Sequence, residues 1–280
     1  MPTKILMKEP LIEGKTSKLI LDAPHIAATA KPGHFVMLRV NSHGERIPLT
    51  IADTDPERGT ITIVYLVLGK TTALLEQLQA GDFIQDVCGP VGHATNIVKQ
   101  GKVICVGGGT GIAAMHHIAK GHVTHGNHVI GIIGARSHDL LLFEQELTKL
   151  VNELYITTDD GSYARKGLVT DVLKEFLDEQ QDITEVVAVG PVPMMAAVAE
   201  VTRSYKIKTT VSLNPIMVDG IGMCGACRVT VGGKTKFACV DGPEFDGHLV
   251  DFAELRIRLA AYRAQEQQAL QAFQGEHHAN

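Results

Sequence analysis

Short alternating runs dominate the first third of the chain. KLILDAP (18–24), HFVMLRV (34–40) and GTITIVYLVLG (59–69) are rich in β-branched and apolar residues and are broken by Gly, Pro and Asp. That spacing belongs to a small barrel or sandwich, so residues 1–98 are expected to form a β-barrel. One helical stretch interrupts it, TTALLEQLQAGD (71–82), with Gly81 as its stop signal.

From about residue 99 the period changes. KVICVGGGTGIAAMHHIAKG (102–121) reads as an apolar strand, a glycine loop and a helix. NHVIGIIGARSHDLLLFEQELTKL (127–150), NELYITTDDGSYARKGLVTDVLKEFL (152–177) and EVVAVGPVPMMAAVAEVTRSY (185–205) repeat strand then helix. Four such units over 99–205 predict an α/β doubly wound parallel sheet. Residues 206–250 hold a cysteine-rich loop. Residues 251–274 read as one helix, with Phe252, Leu255, Leu259 and Tyr262 on one face, before a tail from Gly275 expected to be disordered. No internal repeat or low-complexity tract is seen.

Composition narrows this little. The 280 residues exceed the usual size of one core, so two or three domains are expected. Net charge is −5, with no basic patch, and tryptophan is absent, so no nucleic-acid partner is expected. PTKILMKEPLI after Met1 lacks the apolar core and cleavage site of a signal peptide, and no apolar run of about 18 residues or more predicts a membrane span. Five cysteines, three of them clustered, argue against a disulfide framework and for a reducing cytoplasm.

Chemistry concentrates in loops. Gly107, Gly108, Gly109, Thr110 and Gly111 follow a strand and open a helix, where backbone N–H groups and the helix dipole suit a pyrophosphate. GARS (134–137), TTDDGS (157–162) and VGPVPMM (189–195) fall at the carboxyl ends of the other predicted strands, where doubly wound sheets bind ligands. Arg136 is a candidate for the adenosine ribose or its phosphate. Asp160, Gly161, Ser162, Gly190 and Pro191 are candidates for the nicotinamide side. Each loop alone is an ordinary turn; it is their order that points to a nucleotide. GPVG (89–92) is expected to turn the chain between the first two domains.

The stretch DGIGMCGACRVTVGGKTKFAC (219–239) poses a count. Cys224, Cys227 and Cys239 are three thiols, and both a tetrahedral zinc and a two-iron cluster want four ligands. Plant-type [2Fe-2S] sites use C-x4-C-x2-C with a later cysteine, and here the first position is Asp219. A carboxylate is a possible iron ligand, so Asp219, Cys224, Cys227 and Cys239 are the candidate metal set. A zinc knuckle completed by Asp219 or a histidine stays open. Cys105 lies inside an apolar strand and reads as a buried side chain; Cys88 is not expected to be a ligand.

In the order of these loops the chain resembles the ferredoxin–NADP reductase superfamily over residues 1 to about 205. The resemblance implies an FAD-binding barrel. Its flavin motif maps to RIPLTI, giving Arg46, Pro48, Leu49 and Thr50, with Leu49 where an aromatic is usual and Thr50 near the flavin N5. LGKTTALL supplies Gly69, Thr71 and Thr72 at a helix start for the FAD diphosphate. GKTT is not a P-loop, because Val64 stands where the upstream glycine is needed. Val189 replaces the cysteine of the usual Cys-Gly-Pro, so no residue beyond the flavin is expected to be catalytic. ERIPLTIAD, MCGACRV and FACVDGPEFDGH extend the resemblance to electron-transfer subunits carrying FAD and a [2Fe-2S] cluster. It is similar in most detail to small subunits of electron-bifurcating NADH-dependent reduced ferredoxin:NADP+ oxidoreductases, which are cytoplasmic heterodimers. That implies electron transfer between NAD(H), FAD and the cluster, a larger partner carrying flavin and four-iron clusters, and indirect exchange with ferredoxin. Electron-transfer subunits of dihydroorotate dehydrogenase type B are the alternative. A metal-binding regulatory module without catalysis is a further one, against which the flavin loops argue.

Overall fold

The structure, a computed structural model, describes residues 2–180 and 182–278. The N-terminal third is a seven-stranded antiparallel sheet. Its strands are β1 (Thr3–Ile12), β2 (Thr16–Asp22), β3 (Phe35–Arg39), β4 (Arg46–Asp55), β5 (Thr60–Leu66), β6 (Phe83–Ile84) and β7 (Asp86–Val91). They run in the order β6-β1-β2-β5-β4-β3-β7. The two end strands, β6 and β7, follow one another directly in the chain, which curls the sheet into a nearly closed barrel. Alternate residues such as Leu19, Leu21, Ile61 and Ile63 fill it and are fully buried. Two helices accompany it, α1 (Pro24–Ala27) and α2 (Lys70–Gln77).

Two expectations change here. Helix α2 stops at Gln77, short of Gly81. The Asp82 carboxylate accepts from Gln79 N–H at 2.8 Å and Gly81 N–H bonds to Ile5 O at 2.8 Å, so the chain leaves the helix for β1. GPVG is not a connecting turn. It lies largely within β7, with Met37 opposite Cys88 and Phe35 opposite Val91. A turn was expected from its Gly and Pro residues, but Pro90 lies on an edge strand, where no partner needs its missing N–H.

The second sheet contains β8 (Lys102–Gly108), β9 (His128–Ala135), β10 (Glu153–Thr158), β11 (Arg165–Lys166), β12 (Ile183–Val189) and β13 (Lys208–Ser212), all parallel. Helices α3 (Gly111–Thr124), α4 (Glu144–Leu150), α5 (Val169–Glu179) and α6 (Val192–Tyr205) cover its faces. Strand β8 is apolar from Val103 onward because both faces are buried there. Val103 and Cys105 pack towards α3, Ile104 and Val106 towards α5 and α6. The order β11-β10-β9-β8-β12-β13 reverses between β8 and β12, the switch point at which such sheets bind ligands. The parallel sheet continues past residue 205 to Ser212, beyond the limit drawn from the sequence.

The remainder is a hairpin, β14 (Arg228–Val231) and β15 (Lys234–Phe237), a turn of helix α7 (Ala238–Asp241) and strand β16 (Glu244–Asp246). The hairpin turns on Gly232 and Gly233, both at positive φ. Strand β16 joins the second sheet antiparallel to β13. The C-terminal segment is two helices, α8 (Phe252–Leu259) and α9 (Arg263–His278), and not the single one expected. Phe252, Leu255 and Leu259 pack into the α5–α6 core, while Tyr262 lies in the break and is exposed. The break lets α8 follow that core while α9 lies against α2 of the barrel. The tail expected to be disordered is helical from Gly275 to His278; its last two residues lie outside the described ones.

Candidate functional site

The barrel and the parallel sheet meet across α3. His117 Nδ1 lies 2.9 Å from Ile51 O of β4, and Lys120 Nζ is 2.8 Å from Asp53 Oδ1. Burial, first of all, holds the His117 imidazole below its usual pKa. A neutral ring with Nδ1–H then donates to that carbonyl and docks the helix on the strand.

This docking leaves a cleft of about 350 Å³. Its barrel wall is Phe35, Pro48, Leu49, Thr50 and Tyr65; its sheet wall is Gly108–Gly111 with Gly190 and Pro191. Residues far apart in the sequence, from barrel strands and from two loops of the parallel sheet, thus face one space. The glycines there have different work. A Cβ on Gly108 would sit 2.5 Å from Met194 Sδ, and one on Gly111 would sit 2.5 Å from Val189 O. A Cβ on Gly107 would crowd Met115 and Ile112. Those three are required by the protein's own packing. Gly109 differs: it has φ +54 and open space where its Cβ would be. Its backbone is therefore the part of the loop free to approach a ligand.

Other predicted residues lie outside that cleft. The Ser162 hydroxyl accepts from His138 N–H at 2.9 Å, and Asp160 N–H bonds to Arg136 O at 3.2 Å. Arg136, Asp160, Gly161 and Ser162 therefore form a second, exposed cluster at the ends of β9 and β10. The Ser162 hydroxyl, first of all, and then the Ser162 N–H hold the Asp160 carboxyl below its ordinary pKa. Gly69 faces open space at the start of α2; the Thr72 hydroxyl accepts from Gly69 N–H at 3.0 Å, and Thr71 is buried with its hydroxyl 3.2 Å from Glu45. Arg46 is exposed at the start of β4 and does not line the cleft.

Cleft residues without a motif were missed. Phe35, Tyr65, Ser212, Asn214, Met217 and Pro243 also line it. Tyr65 donates to Glu76 Oε2 at 2.6 Å, and burial raises its phenol pKa further. Ser212 ends β13 and Asn214 follows it, so reading KTTVS as a fifth strand would have flagged them.

In the cysteine loop the four candidates fall into two pairs. Cys227 Sγ and Cys239 Sγ are buried and 3.2 Å apart. That is near the ~3.8 Å spanned by two sulfurs bound at 2.3 Å to one tetrahedral metal. Burial and the neighbouring thiol push the Cys239 thiol up to about 12, so a metal that binds it displaces its proton. Cys224 is exposed. Asp219 Oδ2 accepts from Cys224 N–H at 2.6 Å and Met223 N–H at 3.1 Å, and Oδ1 accepts from Ile221 N–H at 2.9 Å. These backbone donors, that of Ile221 first, hold the carboxyl below its ordinary range. Oδ1, with one donor, keeps a free lone pair for a metal. Among the described residues no three His, Cys, Asp or Glu side chains converge on one point. The loop is held from outside by two arginines that sequence reasoning did not single out. Arg258 donates to Ala226 O at 3.1 Å and Arg228 to Gly225 O at 3.0 Å.

A barrel docked on a doubly wound sheet, a cleft at the switch point and a thiol loop behind it define an NAD-linked flavin and iron–sulfur oxidoreductase. Residues 105–200 match the oxidoreductase NAD-binding domain, and residues 214–251 match the iron–sulfur cluster binding domain of dihydroorotate dehydrogenase B. A dihydroorotate dehydrogenase B (NAD(+)) electron transfer subunit homolog of Thermotoga maritima is 48% identical over 90% of this chain and 89% of its own. An uncharacterised protein in the adh 3′ region of Clostridium beijerinckii is 46% identical over 99% of this chain and 96% of its own. A solved NADH-dependent reduced ferredoxin-NADP oxidoreductase structure, described for flavin-based electron bifurcation, superposes with a TM-score of 0.92 at 44% identity, covering 98% of both chains. The chain belongs to the family of dihydroorotate dehydrogenase B electron transfer subunits and their homologues.

Proposed function

We propose that this chain is the subunit of an electron-bifurcating NADH-dependent ferredoxin:NADP+ oxidoreductase that moves electrons between NAD(H) and a larger partner through FAD and a [2Fe-2S] cluster. The observation that carries it is the shared cleft: the Pro48–Thr50 wall faces the Gly108–Gly111 and Gly190–Pro191 wall, and the cysteine loop packs behind. FAD, when bound, takes two electrons as a hydride and releases them singly to a cluster that accepts one at a time.

The chain's own residues supply the rest. Pro48, Leu49 and Thr50 present an apolar wall with one hydroxyl to the flavin ring. Arg46, Gly69, Thr71 and Thr72 serve the diphosphate end of FAD through the start of α2. Gly109 admits the nicotinamide nucleotide, with Gly107, Gly108, Thr110 and Gly111 holding its loop in place. Asp160, Gly161 and Ser162, expected on the nicotinamide side, instead cluster with Arg136 outside the cleft, so these four are assigned to the adenosine and ribose side, and Gly190 and Pro191 close the nicotinamide side. Asp219, Cys224, Cys227 and Cys239 hold the cluster. The working division is 1–98 for FAD, 99–205 for nucleotide, 206–250 for the cluster and 251–280 for the C-terminal segment, with β13, at the start of the third segment, extending the sheet of the second. Among the described residues no helix is long and apolar enough to cross a membrane, and a cytoplasmic setting is part of the proposal.

Anaerobic purification from the native source tests it. A flavin and four-iron partner co-purifying with a yellow-brown chain that NADH bleaches supports the reading. The match of residues 214–251 to the dihydroorotate dehydrogenase B domain favours one alternative, a dihydroorotate-oxidising partner, and its recovery would replace the first. A colourless chain would overturn both.

A further inference from the structure

Two side chains belong both to the wall of the cleft and to the apolar cluster around the buried thiols. Phe35 and Met217 line the cleft, and both pack with Met37, Cys227, Ala238 and Cys239 in one buried group. Phe35 is on β3 directly opposite Thr50, and Met217 follows the carboxyl end of β13. The cysteine loop is pressed onto the same strand: a Cβ on Gly220 would lie 2.5 Å from Met37 Cγ. The loop therefore has an inner and an outer side. Cys227 and Cys239 are each 1% exposed and face the barrel, whereas Cys224 is exposed and Asp219 lies with it.

We infer that Phe35 and Met217 form the contact through which electrons pass between the flavin site and the Cys227–Cys239 side of the cluster, leaving the Asp219–Cys224 side as the outward exit. This rests on the flavin and cluster placement proposed above. Tunnelling weakens steeply across gaps not filled by touching atoms, and these two side chains fill the space between cleft and thiols at packing contact. Each crossing would move one electron from the reduced flavin to the oxidised cluster. The two electrons that NADH delivers as hydride would take two crossings, with the single proton of that hydride released to solvent and each electron passed on to a one-electron acceptor on the partner. Phe35 and Met217 are positioning residues in this scheme, since neither changes its own oxidation state.

The first test uses the full chain before cluster reconstitution and reads thiol alkylation by iodoacetamide, mapped by peptide mass. Cys88 and Cys224 are expected to label well ahead of Cys227 and Cys239. Met217→Ala opens the wall and should speed labelling of Cys227 and Cys239 severalfold, leaving Cys88 and Cys224 unchanged. Equal labelling of all four in the wild type, or no change in the variant, overturns the inner–outer assignment. The second uses the loaded chain mixed anaerobically with NADH. The ratio of cluster-reduction rate to flavin-reduction rate should fall severalfold in Met217→Ala and recover in Met217→Leu, with cofactor content and midpoint potentials at wild-type values. If Met217→Ala takes up no cluster, Met217→Val, which opens less space, carries the same comparison. An unchanged ratio in that series overturns the contact. Failure of the wild type to bind FAD or a cluster would overturn the proposed function instead, and the alkylation result would still decide the geometry.

Discussion

The two glycine-rich loops of this protein differ in what gathers their backbone. Where β8 passes into α3, three glycines are demanded by neighbours: a Cβ on Gly107, Gly108 or Gly111 would strike side chains or backbone within about 3 Å. In the cysteine loop, Gly220, Gly222 and Gly225 are all demanded by the turn itself, at φ between 67 and 81, and Gly220 and Gly222 lie in addition against Met37 and Val240. The first loop is preorganised by the packed sheet beneath it. The second is gathered by one carboxylate, Asp219, accepting three backbone N–H groups. Substitutions in the first should register as lost fold, and substitutions in the second as lost cluster in an otherwise intact chain.

The largest effect is expected from Gly111→Val, whose Cβ would overlap Val189 O and Gly190 Cα. The cost should reach the upper end of roughly 1–3 kcal/mol, with poor yield of folded protein, read by thermal denaturation. A melt indistinguishable from wild type would break the comparison. Asp219→Ala should come next: cluster content collapses while FAD stays bound, because the barrel is untouched. Asp219→Cys should restore a cluster with an altered electron paramagnetic resonance signal. Full cluster content in Asp219→Ala would show that the carboxylate is neither ligand nor organiser.

Gly109→Val is the exception within its own loop. Its Cβ meets no atom of the protein, so the cost is set by ~1–2 kcal/mol of left-handed strain. Its main effect is expected on nucleotide, with NADH KM rising by about tenfold, equivalent to ~1.4 kcal/mol of binding. An unchanged KM would remove the loop from the binding site.

How far the chain itself announced these loops depends on range. Gly107–Gly111 and the cysteine spacing are local patterns set by backbone needs, and the β–α alternation behind them is equally local. What escaped is non-local. Strand β16 is only three residues long and exists because β13 offers an open edge. The break at Ala260–Tyr262 contains neither Gly nor Pro, and it separates one helix bound to the nucleotide core from another bound to α2. Phe35, Tyr65 and Met217 look like ordinary core side chains, and only the docking of barrel on sheet turns them towards a cleft.

The smallest expected effect concerns the return limb of the cysteine region. Glu244 accepts from the Thr95 hydroxyl at 2.6 Å, and burial pushes its carboxyl up to about 7. A carboxyl raised on folding holds its proton more tightly in the native state, so its contribution is complete below the ordinary ~4.3 and fades as pH climbs to about 7. The buried imidazoles His116, His117 and His122, all lowered chiefly by burial, act in the opposite sense as pH falls through about 6.5. Glu244→Gln should therefore gain stability over wild type progressively between about pH 5 and 8 in thermal melts. A constant difference across that range would exclude Glu244 as the source.

Strand β16 also bears on engineering. It pairs with β13 through Thr210–Asp246, Val211–Phe245 and Ser212–Glu244, and so covers what would otherwise be the bare rim of the parallel sheet. A reductase core cut after Ser212 would leave that rim as a row of unpaired N–H and C=O groups, a template for self-association. The cysteine region is therefore not a detachable cassette. Grafting it onto another reductase, or trimming it from this one, requires a substitute strand or a charged, proline-bearing edge in its place.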